Sequence, residues 1–188
     1  MQVETPETDR EARLISTGKI ISIAYSPKMI NNVGKEPKTS AEVTMFGIVG
    51  DKHFGETRYS PRQHKRVPNL RPITVMAVEG VREACDALDI PADTVPYGGM
   101  GENILTDGLG DLGDASEGDL IEVLDEHGEP KVILQVGGQN NPCSNLQYYH
   151  KQMTKQMMRK RGVFCSVVKA GHIEIGDTVA YIKASGAS

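Results

Sequence analysis

The segment NNPCSNL, residues 140–146, holds the cysteine that is best placed for chemistry. Cys143 follows a proline and stands among polar residues that keep a side chain out of an apolar core. A helix is predicted to begin just after it, and the unpaired N–H groups at a helix start stabilise a thiolate. Cys143 is therefore either a reactive thiol or a small buried apolar residue, and these local features leave both interpretations open.

The two other cysteines are predicted to be core residues. Cys85 lies on the apolar face of a predicted helix over residues 78–90, and Cys165 lies in the strand-like run VFCSVV. Three cysteines, with no pair at CxxC spacing, argue against a disulfide framework and against a zinc ribbon.

Positive charges are concentrated in two segments of a chain whose net charge is −4. The first segment contains Lys52, Arg58, Arg62, Lys65, Arg66 and Arg71 against the single acid Glu56, and the second covers residues 151–161. These segments are either solvated faces or an anion site, since Arg and Lys donors suit phosphate and carboxylate oxygens. His53 and His64 are candidate acid–base groups or ligands, or simply surface residues.

The glycine-rich segment GGMGENI, residues 98–104, is a third candidate site. Its glycines permit a close approach of the backbone to a ligand, or simply form a tight turn. Glu102 and Asn103 either orient a polar group or cap that turn. The segment is not a dinucleotide fingerprint, because no strand-then-helix pattern surrounds it, and the chain has no P-loop sequence.

The elements that must position these residues are mainly strands. Twenty Gly and ten Pro indicate many turns, and β-branched and aromatic runs predict about seven strands. Helices are predicted over 78–90 and over 146–162, the second with Ser144 or Asn145 as its N-cap and Gly162 as its stop. Residues 41–51 are predicted as one strand and residues 51–72 as a long connection without periodicity. The pattern predicts a mainly β fold, a closed or nearly closed barrel with a few inserted helices.

The motifs VGDKHFG, GENILTDG, EGDLIEV, NPC and AGHIEIGD, with the arginine-rich stretch, occur in an order that resembles the MOSC domain family. This family is named for the C-terminal domain of molybdenum cofactor sulfurases. The resemblance runs from about Gly18 to Ile182 and implies a mainly β barrel. The domain is expected to cover residues 18–185, after a flexible lead-in over residues 1–17.

The resemblance also implies a role for Cys143, which would carry sulfur as a persulfide or ligate molybdenum in the pterin-bound cofactor. Related stand-alone bacterial proteins are linked to the reduction of N-hydroxylated compounds. The anionic cofactor, molybdopterin, would explain the basic stretch. The residues expected to bind it are His53, Arg58, Arg62, Lys65, Arg66, Glu102 and Asn103.

Partners and location follow from what the sequence lacks. It contains no pyridoxal-binding region, no ferredoxin-like cysteine cluster and no flavin motif, so a cysteine desulfurase or an electron-transfer protein is expected to assist. No nucleic acid or membrane is expected as a partner, and the acidic, polar N-terminal sequence favours the reducing cytoplasm. Three functions stay open: molybdenum-cofactor binding, metal-free sulfur carriage, and binding of another anionic small molecule.

Overall fold

The computed structural model describes residues 13–185, and within them the chain forms thirteen strands and two α-helices. The strands are β1 Leu14–Ala24, β2 Pro37–Lys38, β3 Ser40–Thr44, β4 Gly47–Ile48, β5 Thr57–Ser60, β6 Lys65–Pro68, β7 Ile73–Ala77, β8 Ile104–Asp107, β9 Leu120–Leu124, β10 Pro130–Gln139, β11 Val163–Lys169, β12 Gly171–Glu174 and β13 Thr178–Ile182. The helices are α1 Val78–Ala87 and α2 Met153–Gln156. Strand β1 begins four residues before the expected domain start at Gly18, and residues 1–12 of the expected lead-in lie outside the described residues.

Seven strands close into a barrel, which confirms the predicted fold class. Their order is β13-β9-β10-β11-β7-β8-β1, and β1 pairs with β13 to complete the ring. Strands β7 and β8 are parallel, whereas the other neighbours in the ring are antiparallel. Closure leaves the ring without a free edge. The short strand β2 pairs with the last two residues of β1, Ile23 and Ala24.

The barrel interior is filled by side chains that alternate along the strands. On β10, Val132, Leu134 and Val136 are buried, while the residues between them are half-buried or exposed. Cys165 of β11 packs in this core, as its strand pattern predicted. Alternation of this kind places every second residue of a strand on the inner face.

Helix α1 forms the crossover that joins the parallel strands β7 and β8 and packs outside the barrel. Its apolar face buries Val78, Val81 and Cys85, which confirms the predicted amphipathic helix. This face lies in a second cluster with Leu146 and Met153, which come from the segment after Cys143. The packing fixes that segment against the barrel wall.

The predicted strand over residues 41–51 is wrong, because the segment folds into the hairpin β3–β4. Gly47 has a φ of +111°, which side-chain-bearing residues rarely adopt, and the carbonyl of Gly47 accepts a bond from the Thr44 hydroxyl. Strand β12 pairs with β3 to extend this hairpin into a three-stranded sheet.

Residues 51–72 are not a structureless connection. Strands β5 and β6 pair within them as a hairpin, with Arg58 opposite Val67 and Tyr59 opposite Arg66. The Asn69 amide donates to the carbonyls of His53 and Gly55, at 2.7 and 3.1 Å, so it ties the end of the hairpin to its beginning.

The predicted helix over residues 146–162 is wrong as a continuous element. The segment contains a 3-10 helix, Ser144–Tyr148, with Cys143 at its N-cap position, and the single turn of α2. The N–H of Gln152 bonds the His150 ring at 3.2 Å instead of a backbone carbonyl, and Arg159 has a φ of +61°, so the helix is interrupted at both places. Gly162, the predicted stop, has a φ of +71° and ends the segment at β11. Among the described residues, no helix is long and apolar enough to cross a membrane.

Candidate functional site

A cavity of about 600 Å³ opens between the β5–β6 hairpin and the barrel wall. It is called the cationic cavity below. The hairpin contributes one side, and the loop before it, the segment that leads into β7, the glycine-rich turn and the start of β11 contribute most of the rest. Its lining residues are Met29, Lys52, His53, Phe54, Thr57, Arg58, Tyr59, Arg66, Asn69, Arg71, Pro72, Thr74, Gly101, Asn103, Asn140, Arg161 and Phe164.

The lining carries positive charge without a compensating acid. It includes Lys52, Arg58, Arg66, Arg71 and Arg161 and contains no Asp or Glu. Burial, together with the nearby charge of Arg58, lowers the pKa of Arg71. The Arg71 guanidinium lies 5.0 Å from the centre of the Phe164 ring, an arrangement that holds the cation over the aromatic face.

Two guanidinium groups of the cavity have buried nitrogens without a partner. Among the residues that the structure describes, Nε of Arg58 and Nε of Arg161 are buried and make no hydrogen bond. A buried donor without a partner costs about 1–3 kcal/mol. These two nitrogens are therefore suited to an acceptor that enters the cavity.

Arg161 connects the cavity to the cysteine segment and to the glycine-rich turn. Its Nη1 donates to the carbonyl of Asn141 at 3.0 Å, and its Nη2 donates to the carbonyl of Met100 at 2.9 Å. The guanidinium thus fixes the chain two residues before Cys143 beside the cavity that it also lines.

A buried ion pair lies under the floor of the cavity. The side chains of Lys35 and Asp51 are fully buried, with Nζ of Lys35 3.1 Å from Oδ2 of Asp51. The Asn103 amide donates to Asp51 at 3.1 Å, and Nδ1 of His53 lies 3.1 Å from the other carboxylate oxygen. Burial alone would raise the pKa of Asp51, but the His53 bonds and the Lys35 charge outweigh it and lower that pKa to about 2.

Glu102 belongs to the glycine-rich turn rather than to the cationic cavity. Its two carboxylate oxygens accept the backbone N–H groups of Gly98 at 2.7 Å and Met100 at 3.1 Å. Burial raises its pKa, and these bonds oppose the shift. Its side chain lines a separate, mainly apolar cavity of about 500 Å³ beneath α1.

Cys143 is exposed, unlike the two other cysteines. It does not line the cationic cavity, but it lies three residues after Asn140, which does. Three backbone links bring the two Cα atoms within about 11 Å of each other. Burial raises the pKa of the Cys85 and Cys165 thiols, so Cys143 is the thiol open to reaction. The short 3-10 helix after it replaces the long helix that the sequence predicted.

The structure brings four of the seven expected cofactor residues together in the cationic cavity: His53, Arg58, Arg66 and Asn103. The other three, Arg62, Lys65 and Glu102, are not in its lining. Arg62 and Lys65 are exposed at the far end of the hairpin.

Sequence reasoning missed several residues of this site. Arg71 and Arg161 were visible as members of the basic segments, but their charge alone did not separate them from their neighbours. Lys35 and Asp51 gave no signal of an ion pair, because sixteen residues separate them along the chain.

No ready-made metal site exists in the described residues. No three His, Cys, Asp or Glu side chains within them come close enough to hold a metal ion. A metal at Cys143 would therefore take its other ligands from a bound group.

The family model of the MOSC domain matches residues 50–180. This range includes the hairpin, Cys143 and every lining residue of the cationic cavity except Met29. The chain belongs to the MOSC domain family. No curated protein matches the chain in sequence.

Solved structures share the fold at low sequence identity. The YuaD protein from Bacillus subtilis is 20% identical, with a TM-score of 0.73, over 90% of this chain and 99% of that one. YiiM from Geobacillus stearothermophilus is 20% identical, with a TM-score of 0.62, over 90% of this chain and 77% of that one. YiiM from Escherichia coli is 19% identical, with a TM-score of 0.57, over 88% and 70%. At this identity the likeness establishes the MOSC fold alone.

Proposed function

We propose that this MOSC protein binds the molybdenum cofactor, with the anionic group of the pterin in the cationic cavity and Cys143 as a thiolate ligand of the metal. One observation carries the proposal: five Lys or Arg side chains line the cavity without an acid. Family membership supports the choice of cofactor, since the MOSC family is associated with it.

The chain's own groups fit a phosphate. The buried Nε atoms of Arg58 and Arg161 lack acceptors within the described residues, and phosphate oxygens would supply them. Charge-assisted hydrogen bonds of this kind are worth about 1.5–3 kcal/mol each. Arg71, held over Phe164, adds a third guanidinium to the same space.

The remaining groups would shape the site. Asn103 is 1% exposed, and its amide is already bonded to Ala24, Asp51 and the backbone of Thr74, so it fixes the floor of the cavity. Cys143 would supply a soft thiolate, which suits a metal of this kind. When bound, the cofactor supplies a redox-active metal centre, which matches the expectation that this chain supports reduction of N-hydroxylated compounds with an external electron donor.

The test is metal and pterin analysis of protein purified from a host that makes the cofactor. We expect nearly one molybdenum per wild-type chain and loss of most of it in Cys143→Ser. The matched control is Ser144→Ala, at the next exposed position, which should keep the wild-type metal content. Wild-type protein free of both molybdenum and pterin would contradict the proposal.

A second candidate function is sulfur carriage, which the exposure of Cys143 outside the cavity lining favours. A persulfide at an exposed thiol can be reached by a partner desulfurase. After incubation with a desulfurase and cysteine, mass spectrometry should then find an adduct of about 32 Da, one sulfur atom, at Cys143. Equal adducts on Cys85 and Cys165 would mean that the site is not dedicated to sulfur.

A further inference from the structure

His53 connects the buried ion pair to the cationic cavity. Its backbone N–H donates to Oδ1 of Asp51 at 2.9 Å, and its ring nitrogen Nδ1 lies 3.1 Å from the same oxygen. The ring also lines the cavity and is 49% exposed. One face of the residue is therefore anchored in the interior, while the rest is open to a ligand.

The partner of Nδ1 decides which ring nitrogen carries the hydrogen. Asp51 is a carboxylate at neutral pH, because the His53 bonds and the Lys35 charge hold its pKa at about 2 against the effect of burial. An ionised carboxylate only accepts hydrogen bonds. Nδ1 of His53 must therefore donate, which leaves Nε2 with its lone pair in the neutral ring.

Nε2 of His53 is free to exchange a proton. It makes no hydrogen bond within the part of the chain that the structure describes. The charged and titratable groups that line the cavity or contact Asp51 are Asp51 and Lys52 from the loop of His53, Lys35 from the loop before β2, Arg58, Tyr59 and Arg66 from the hairpin, Arg71 from the segment before β7, and Arg161 from the segment before β11.

The His53 ring lines the cavity, so an anion that binds there lies beside it. A negative charge next to an imidazole ring favours the protonated form of the ring. Anion binding and protonation of His53 should therefore strengthen each other.

We propose that His53 is the proton-exchanging residue of the cationic cavity, taking a proton from solvent onto Nε2 when an anion binds and presenting it to the bound ligand. Asp51 is its positioning residue, and Lys35 balances the charge of Asp51. The inference rests on the proposed function, because the anion that it invokes is the one bound in the cavity.

The test is calorimetric titration of the metal-free protein with sulfate, a dianion whose own charge is constant near neutral pH. The wild type should bind sulfate about tenfold more weakly at about pH 8 than at about pH 5.5, since one pKa unit of coupling corresponds to a factor of ten. Repeating the titration in buffers of different ionisation enthalpy measures the proton uptake directly.

The variant His53→Gln should bind sulfate with an affinity that is nearly independent of pH and without proton uptake. His64→Asn is the matched control, because this exposed histidine in the hairpin turn does not line the cavity and Asn tolerates its φ of +50°. It should titrate like the wild type. Asp51→Asn should reduce the proton uptake, because an amide does not stabilise the charged ring.

The outcomes separate the two claims. Sulfate binding that is independent of pH in the wild type, or equally pH-dependent in His53→Gln, would overturn the role of His53 while leaving the anion site in place. No sulfate binding at either pH would overturn both this role and the anion-binding cavity of the proposed function.

Discussion

At the scale of single residues, the site depends on a full negative charge held inside the protein. Asp51 is buried and is contacted by Lys35, His53 and Asn103, so each of its carboxylate oxygens has donors. An isolated buried carboxylate would be costly, and this set of partners is what keeps it ionised. The polar groups of the cavity floor are thus fixed before any ligand binds.

Asp51 should make the stability of the protein depend on pH in the acid range. Its pKa is lowered from 3.8 to about 2 in the folded state, so its contribution is present above about pH 4 and is lost as the pH falls toward 2. The shift corresponds to about 2 kcal/mol of unfolding free energy. Urea unfolding between about pH 6 and pH 2.5 should show this loss in the wild type.

In Asp51→Asn the loss of unfolding free energy at acid pH should be smaller than in the wild type by about 2 kcal/mol. The variant should also be less stable at neutral pH, because Lys35 is left unpaired. Asp93→Asn, at an exposed position, serves as the control and should follow the wild-type curve. A wild-type curve that is parallel to that of Asp51→Asn throughout would show that Asp51 is not ionised through its buried contacts.

At the scale of elements, local sequence patterns predicted the barrel strands but not the elements that build the site. Strands β1, β7, β9 and β10 follow apolar runs, and helix α1 follows its 3.6-residue period. The β5–β6 hairpin is polar on both faces, so no periodicity predicts it, and contacts such as Arg66 to Thr57 and Asn69 to His53 hold it instead. The segment 146–162 has helical spacing, but the helix is interrupted where the N–H of Gln152 bonds the His150 ring and where Arg159 adopts a positive φ.

The end of that segment approaches β7 so closely that Gly162 is required. A Cβ at Gly162 would lie 2.0 Å from the carbonyl oxygen of Val75, whereas a Cβ at Gly128 would meet nothing within 4 Å. Both residues have positive φ, +71° and +83°, so alanine at either position carries a similar backbone strain. The difference between the two variants therefore reports the close approach alone.

We expect Gly128→Ala to lower the free energy of unfolding by about 1 kcal/mol and Gly162→Ala by more than about 3 kcal/mol. Denaturant unfolding of both variants measures this. Equal destabilisation would mean that the segment before β11 is not pressed against β7.

At the scale of the whole molecule, barrel closure joins distant parts of the chain. Strand β1 pairs with β13, and the buried Asp119 before β9 accepts bonds from the hydroxyl of Tyr181 at 2.7 Å and from Lys183 at 3.1 Å. The barrel was predictable, because the apolar runs indicate about seven strands and closure avoids the cost of free edges. Which cations share one cavity was not, since Arg58 and Arg62 have the same charge and only the folded hairpin separates their positions.

Stability should be distributed unevenly between the closed barrel and the hairpin that covers the cavity. The β5–β6 hairpin is a separate two-stranded sheet with mostly exposed residues, so it can open without opening the barrel. Hydrogen exchange should be about a hundredfold or more faster for its amides than for those of β9 and β10. An anion in the cavity should slow the hairpin amides selectively, and uniform exchange over both regions would contradict this division.

The measurement that tests the central claim most directly compares two arginines of the same hairpin. Arg58 lines the cavity with a buried, unpartnered Nε, whereas Arg62 is exposed in the turn and lies outside the lining. Protein from a cofactor-producing host should show pterin and molybdenum contents reduced more than about tenfold in Arg58→Met, through loss of a charge-assisted contact, and unchanged in Arg62→Met. Equal retention of the cofactor in both variants, with both folded, would contradict the assignment of the cavity as the cofactor site.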